Sequence, residues 1–383
     1  MARALYIHWP FCRSKCPYCD FNSHVRENVD VERWREALLA DMRHEAGLAG
    51  GETLTSIFFG GGTPSLMPPS LVETLLSEAE DLWGFAPGIE ITLEANPTSI
   101  EAHNFAAIAQ AGVNRVSLGV QSLEHDALNF LGREHSADEA LAALAIAQAN
   151  FARVSFDLIY ARPGQSADAW FDELGRALAL GTDHLSLYQL TIEPGTRFAT
   201  DVRRKVFTPL DEDNAADLFA ATRERMRAAG LPAYEVSNHA RAGQESEHNL
   251  TYWRYRDFAG IGPGAHGRRR GSATVRHRKP ENFLSAVDRN GHGLVEERPL
   301  PLAEQGEEAV LMGLRLDEGI DLADLSARFG LASNALINRH RLEQLEDQGL
   351  LAIDGDRVAL SESGMLLLDR VVAELLVRAP ETV

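Results

Sequence analysis

The sequence predicts an α/β protein: an open, partial (β/α)6 barrel followed by a mostly helical, winged-helix-like C-terminal domain. Three observations carry that reading. Short apolar, β-branched or aromatic runs alternate six times with amphipathic runs of helical period. Gly112, Gly181 and Gly230 follow helical runs, where a C′ glycine belongs. Beyond about Leu302 the alternation gives way to helices around one turn-linked pair of short strands.

The strand-like runs, in order, are ALYIHW, TSIFFGG, EITLEAN, RVSLGVQ, RVSFDLIYA and HLSLYQL. The helical runs are VERWREALLADMRHEA, PSLVETLLSEAEDLW, IEAHNFAAIAQA, DEALAALAIAQA, ADAWFDELGRALAL and DEDNAADLFAATRERMRAA. Strict alternation predicts a parallel sheet with right-handed crossovers. Six units are too few to close an eight-stranded barrel, so the sheet is expected to stay open. Ser70 and Ser136 stand where N-caps belong. The expected divisions are a barrel over 1–230, a connecting region over 231–301 rich in Gly, His and Arg, and a C-terminal domain over 302–383. In the last, LADLSARFG, ALINRHRLEQLEDQG and SESGMLLLDRVVAELL flank the pair LLAIDGDRVAL.

A chain of 383 residues suits two or three domains at roughly 150 residues each. With 45% hydrophobic and 24% charged residues it has the composition of a soluble globular protein. The net charge of −19 opposes binding to nucleic acid or to an anionic membrane surface, so no nucleic-acid partner is expected. No run approaches the length of a spanning helix. The apolar part of MARALYIHWPFC is too short for a signal peptide. The expectation is a cytoplasmic protein that meets a membrane only through a partner.

All three cysteines, Cys12, Cys16 and Cys19, fall within eight positions. An odd, clustered count argues against disulfides. Thiolates are the soft ligands that iron–sulfur clusters require, and three ligands to four irons leave one iron open to a small molecule. Arg13, Lys15 and nearby N–H groups are expected to lower the thiol pKa values. The competing reading is zinc, with His8 or His24 as fourth ligand.

In open barrels the chemistry sits at the C-terminal ends of the strands. The cysteine loop follows the first strand there, and Gly60-Gly61-Gly62-Thr63-Pro64 ends the second. Its glycines are expected to let backbone approach a ligand and to expose N–H groups. Glu94 ends the third strand, Gln121 ends the fourth, Asp157 lies on the fifth, and Arg133 lies in the loop before the fourth helix.

Cys-x3-Cys-x2-Cys on the loop after the first strand of a βα array resembles the signature of radical S-adenosylmethionine (SAM) enzymes. Nearly the whole chain resembles the oxygen-independent coproporphyrinogen III oxidase (HemN-like) family; the stretch from Asp157 to Gln165 is similar to that family's DLIYGLPGQ. The resemblance implies a [4Fe–4S] cluster on Cys12, Cys16 and Cys19, SAM at the open iron, and an electron donor. It implies SAM contacts from Tyr6, Tyr18, Gly61, Gly62, Thr63, Glu94, Gln121, Arg133, Asp157, Thr191 and His266.

Two departures point away from the oxidase. Its further cysteine is absent, since Asp20-Phe21 follows Cys19, and only eleven residues precede Cys12 where the oxidase carries a longer closing segment. His248-Asn249-Leu250-Thr251-Tyr252-Trp253 fits the H-N-x-x-Y-W pattern of the haem-chaperone branch of the family. Histidine and tyrosine are axial ligands to haem iron, and Trp253 offers a flat apolar face. The resemblance therefore implies haem held by His248, Asn249, Tyr252 and Trp253, with His239 and His266 as alternative iron ligands. The expected role is delivery of haem to apo-haem proteins, including membrane-bound respiratory enzymes, by a chain able to form a homodimer. The alternative is radical oxidative decarboxylation of porphyrinogen propionates. The basic cluster of Arg268, Arg269, Arg270, Arg276, His277, Arg278 and Lys279 reads either as a solvated hairpin or as a surface for haem propionates or an acidic partner.

Overall fold

A computed structural model describes residues 4–49 and 53–376. All six expected strands form: β1 (Ala4–Trp9), β2 (Leu54–Gly61), β3 (Phe85–Ala95), β4 (Arg115–Gln121), β5 (Arg153–Tyr160) and β6 (His184–Gln189). They are parallel and adjacent in chain order. Helices such as α1 (Val31–Ala49) and α2 (Pro69–Trp83) connect them, and one core runs between strand and helix faces through Ile57, Phe59, Leu38 and Leu75. Ser136 forms the expected capping box with Glu139, and Gly112, Gly181 and Gly230 adopt positive φ. Ser70 does not cap: α2 opens on Pro68-Pro69, so Ser70 falls inside its first turn.

The stretch from Leu231 to Pro301, where the sequence alternation lapses, extends this sheet at both edges. β7 (Asn238–Ala240) runs antiparallel to β6. β8 (Phe258–Ile261) lies parallel to β1, and β9 (His266–Arg269), β10 (Ser272–Arg276) and β11 (Leu294–Pro299) follow as an antiparallel meander. The eleven strands stand in the order β11-β10-β9-β8-β1-β2-β3-β4-β5-β6-β7, open at both edges. Most of these added strands are short, and glycines fall within or beside β8 and β9, which masks their period. Gly260 in β8 is obligatory, because a Cβ there would sit 1.8 Å from the His266 carbonyl oxygen.

Three arginines of the basic cluster are buried, while Arg270, Arg278 and Lys279 stay exposed. Arg276 is fully buried and pairs with Asp41 at 3.2 Å and Glu45 at 2.7 Å. Arg269 pairs with Glu45 and Glu297, and Arg268 stacks 3.5 Å over the Tyr255 ring. Arg269 and Arg276 thus fasten the β9–β10 hairpin to α1.

The C-terminal domain has its own core around Val310, Leu314, Leu345 and Val371. Helices Leu302–Gly313, Leu322–Phe329 and Arg339–Asp347 precede the hairpin Leu351–Asp354 with Arg357–Leu360, to which Ile320–Asp321 adds a third strand. Arg223 to Asp317, Arg254 to Glu318 and Tyr255 to Glu308 tie it to the barrel. Among the described residues no helix is long and apolar enough to cross a membrane.

Candidate active site at the barrel mouth

The loop after β1 folds back through two short paired strands, Phe11–Cys12 and His24–Val25. This brings Cys12, Cys16 and Cys19 to one mouth, where all three remain free thiols and line a cavity of about 410 Å³. The Gly-rich end of β2 makes the approach possible. A Cβ on Gly62 would lie 2.6 Å from the Phe11 carbonyl oxygen, and one on Gly61 would strike the His8 ring. The N–H groups of Gly62 and Thr63 donate to Trp9 and Phe11 carbonyls at 2.7 and 2.8 Å. They are thus spent on holding the cysteine strand, contrary to the expectation that they stay exposed for a ligand.

Burial raises the Cys12 and Cys19 thiols above their ordinary values; hydrogen bonding from Thr63 to Cys12 and the charge of Lys15 near Cys19 offset this only in part. The expected lowering by nearby cations is therefore outweighed by desolvation. His8 offers no fourth zinc ligand in this arrangement, since its ring nitrogens meet Tyr6 Oη at 3.0 Å and the Asn22 carbonyl at 2.9 Å. Among the described residues no three His, Cys, Asp or Glu side chains converge on a point that would hold a single metal ion. Three thiols spread around one mouth suit a multi-iron cluster better than one ion.

Of the residues tied to SAM by resemblance, Tyr18, Gly61, Gly62, Thr63 and Glu94 line this cavity. Gln121, Arg133, Asp157 and Thr191 line it too. Tyr6 and His266 are not part of the wall. Tyr6 lies deeper in the barrel against Phe58, and His266 is exposed at the start of β9. Gln121 carries φ of 71°, a left-handed backbone that a non-glycine residue adopts at a cost; it stands where β4 turns into the cavity wall.

Two carboxyls face each other across the interior. Burial, then the charge of Asp157, pushes Glu94 up to about 8, with the Gly61 N–H pulling it partly back. Burial pushes Asp157 up to about 6 against hydrogen bonds from Ser186 and Ser117. Arg133 enters from the opposite side, 3.3 Å from Cys16 Sγ, and its buried Nε has no partner within the protein. An orphaned guanidinium N–H beside a thiol-lined cavity fits an anionic group of a bound ligand. The sequence pattern missed Tyr188, Ser117 and Asn96 in the same wall. The period-two faces of β4 and β6 carry the signal for Ser117 and Tyr188.

The residues of the second motif lie at the other end of the strands. Helix α3 (Glu247–Trp253) sits against the N-terminal ends of β2 and β3. His248 is 1% exposed, with Nδ1 at 3.0 Å from Ser56 Oγ and Nε2 at 2.6 Å from Tyr252 Oη. Burial pushes its imidazole down to about 3. Glu90 accepts from Ser246 Oγ and from the N–H groups of Glu247 and His248, and is itself paired with Arg153 at 2.7 Å. Asn249 reaches Tyr234 Oη at 3.4 Å, and Trp253 lies under Arg315. His239 is buried on β7 with Nδ1 unpartnered. None of these side chains lines the thiol cavity.

An open βα barrel with three thiols at its mouth and buried carboxyls beneath defines the class, and comparison with known proteins agrees. The pattern of the radical SAM superfamily matches residues 6–174, and that of the HemN C-terminal domain matches residues 300–367. The chain is 39% identical to the mitochondrial radical S-adenosyl methionine domain-containing protein 1 of Bos taurus, over 99% of this chain and 88% of that one. It is 37% identical to the heme chaperone HemW of Escherichia coli, over 96% and 97% of the two chains. The solved coproporphyrinogen III oxidase HemN of Escherichia coli superposes with a TM-score of 0.82 over 97% of this chain and 89% of that one, at 22% identity, which shows the fold. The chain belongs to the radical SAM superfamily, in the HemN-like family that includes the HemW haem chaperones.

Proposed function

We propose that this protein is a haem chaperone: it binds haem and delivers it to apo-haem proteins, respiratory enzymes among them, and works in the cytoplasm. One observation carries the reading: 37% identity to a HemW haem chaperone along almost the full length of both chains. Membership of the superfamily implies SAM and a [4Fe–4S] cluster, and the mouth supplies residues that fit both. Cys12, Cys16 and Cys19 would hold the cluster. Arg133 would meet the carboxylate of SAM, and Glu94, Gln121 and Asp157 would receive its polar groups in the cavity. Such a cluster supplies one-electron reduction at its open iron when loaded. The chain's own part is to orient the ligand and to keep two carboxyls at the cavity floor, one largely protonated at neutral pH.

The haem residues follow by resemblance from the second motif, under one geometric condition. Both His248 ring nitrogens are engaged and the ring is buried, so ligation of iron there requires α3 to leave the strand ends. The test is a haem titration of anaerobically purified protein. A Soret band saturating at stoichiometric haem, reduced in His248→Ala, supports the reading; no Soret band in the wild-type protein overturns it. The similar fold of HemN keeps oxidative decarboxylation as a second reading. Protoporphyrinogen formation from coproporphyrinogen III with SAM and a reductant would establish it in place of the first.

A further inference from the structure

A half-buried chain of hydrogen bonds runs from Glu101 to the cysteine loop, and the proposed function uses only its last member, Arg133. Glu101 is 2% exposed in the short helix Ser99–Ala102 that follows β3. Its carboxylate accepts from Ser65 Oγ, from the Asn96 backbone N–H at 2.8 Å and from Asn96 Nδ2 at 3.3 Å. Asn96 Nδ2 also reaches Thr63 Oγ1 at 3.3 Å. With its NH2 group committed to two acceptors, the amide has one remaining orientation for its oxygen. That oxygen accepts from Arg133 Nη2 at 2.6 Å. The Gly119 carbonyl accepts from the same nitrogen at 2.9 Å, and Arg133 Nη1 is left 3.3 Å from Cys16 Sγ.

The order of groups matters. A carboxylate in direct contact with Arg133 would form an ion pair and cancel much of its field. Here a neutral amide stands between the two, so the guanidinium is held by an acid it does not touch. Its charge and one N–H remain directed at the sulfur. Hydrogen bonds and positive charge at a ligating sulfur favour the reduced, more negative state of an iron–sulfur cluster.

We propose that Glu101, acting through Asn96, is the positioning residue that holds Arg133 against Cys16 and so raises the reduction potential of a cluster bound by the three cysteines. The proposal rests on the reading that Cys12, Cys16 and Cys19 hold that cluster. Without Glu101 the Asn96 amide is free to turn, Arg133 Nη2 keeps only the Gly119 carbonyl, and the guanidinium moves away from Cys16.

The experiment is an EPR-monitored redox titration of the reconstituted full-length protein. Glu101→Ala and Asn96→Ala are expected to lower the potential by about 60 mV, a tenfold fall in the ratio of reduced to oxidised cluster at fixed poise for one electron. Glu101→Gln retains an oxygen acceptor for Ser65 and Asn96 and is expected to restore most of the wild-type value. Arg133→Ala should lower the potential at least as far as Asn96→Ala. Wild-type potentials in Glu101→Ala and Asn96→Ala, even with lowered thermal stability, overturn the proposal and leave Glu101 a packing residue. Should Glu101→Ala fail to fold, Asn96→Ala and Glu101→Gln decide alone. A wild-type protein that shows no cluster signal after reconstitution overturns the cluster reading instead, and the proposal with it; an intact wild-type signal with unshifted variants overturns only the proposal.

Discussion

At the C-terminal ends of the strands, polar side chains face an open cavity, and a buried guanidinium nitrogen there lacks a partner within the protein. At the N-terminal ends, the polar groups around His248 are paired with one another, although His239 Nδ1 and Trp253 Nε1 are not. Arg133 Nε is an orphan at the mouth, whereas His248, Glu90 and Arg153 at the base are bonded on several sides. A buried polar group without a partner is costly, so the mouth stores an unmet demand that a ligand can satisfy. Around His248 and Glu90 the base meets its own demand. The two motifs that looked alike in sequence as ligand-binding sites therefore start from different states: the cysteine mouth is ready, and the His248 helix must first be released.

The largest separation of the two ends comes from the cysteines. Replacing any one of Cys12, Cys16 or Cys19 by Ala is expected to abolish stable cluster loading, read as iron and sulfide content after reconstitution. Haem bound at the base should survive that change. Equal loss of haem binding in the cysteine variants would place haem at the mouth and collapse the distinction.

The next effect is at the base. Glu90→Ala leaves Arg115 and Arg153 without their shared carboxylate, at 3.9 and 2.7 Å, and strips the first turn of α3 of its acceptor. Removing one partner of a buried pair costs about 3–5 kcal/mol. Chemical denaturation should show that loss. If the base is a lock on the haem motif, haem association in the surviving folded protein should also speed up; an unchanged rate would show that α3 does not gate it.

Backbone crowding sharpens the picture at the mouth. Gly62→Ala puts a Cβ against the Phe11 carbonyl and should cost about 1–3 kcal/mol while loosening the cysteine loop. Gly175→Ala, in the helix Ala167–Ala179 with open space around the new methyl, should be stabilising by up to about 1 kcal/mol. Thermal melts and cluster loading of the pair separate crowding at the mouth from a general intolerance of alanine.

Much of this was legible before any coordinates. The six parallel strands followed from period and turn residues, because each is long enough to show its pattern. The cysteine mouth followed because three soft ligands on one loop have few other uses. What stayed hidden was assembled from residues distant in sequence. Glu90 and Glu94 share one face of β3, as their spacing shows, and Arg115 and Arg153 both open strands beginning Arg-Val-Ser. Only the sheet brings those arginines beside Glu90. The basic cluster misled for the matching reason. Its partners Asp41 and Glu45 lie more than two hundred positions upstream on α1, so the charge read as free when it was spent.

The smallest expected effect is a slope with pH. Glu94 and Asp157 are held up to about 8 and about 6 by burial, above the roughly 4 of an unfolded carboxyl. Between those values these two groups bind more protons in the folded chain than in the unfolded one and subtract stability as pH rises. Buried histidines such as His248, held down to about 3, act in the opposite sense up to about pH 6.5. The clear window is therefore about pH 6.5 to 8, where the protein free of cluster and SAM should lose melting temperature as Glu94 ionises. Glu94→Gln cannot ionise and should flatten that slope. At the base, Glu90→Gln should lower stability by weakening the pair with Arg153. A slope that persists in Glu94→Gln would mean that cavity water already solvates the carboxylate, and that the mouth is wetter than the geometry implies.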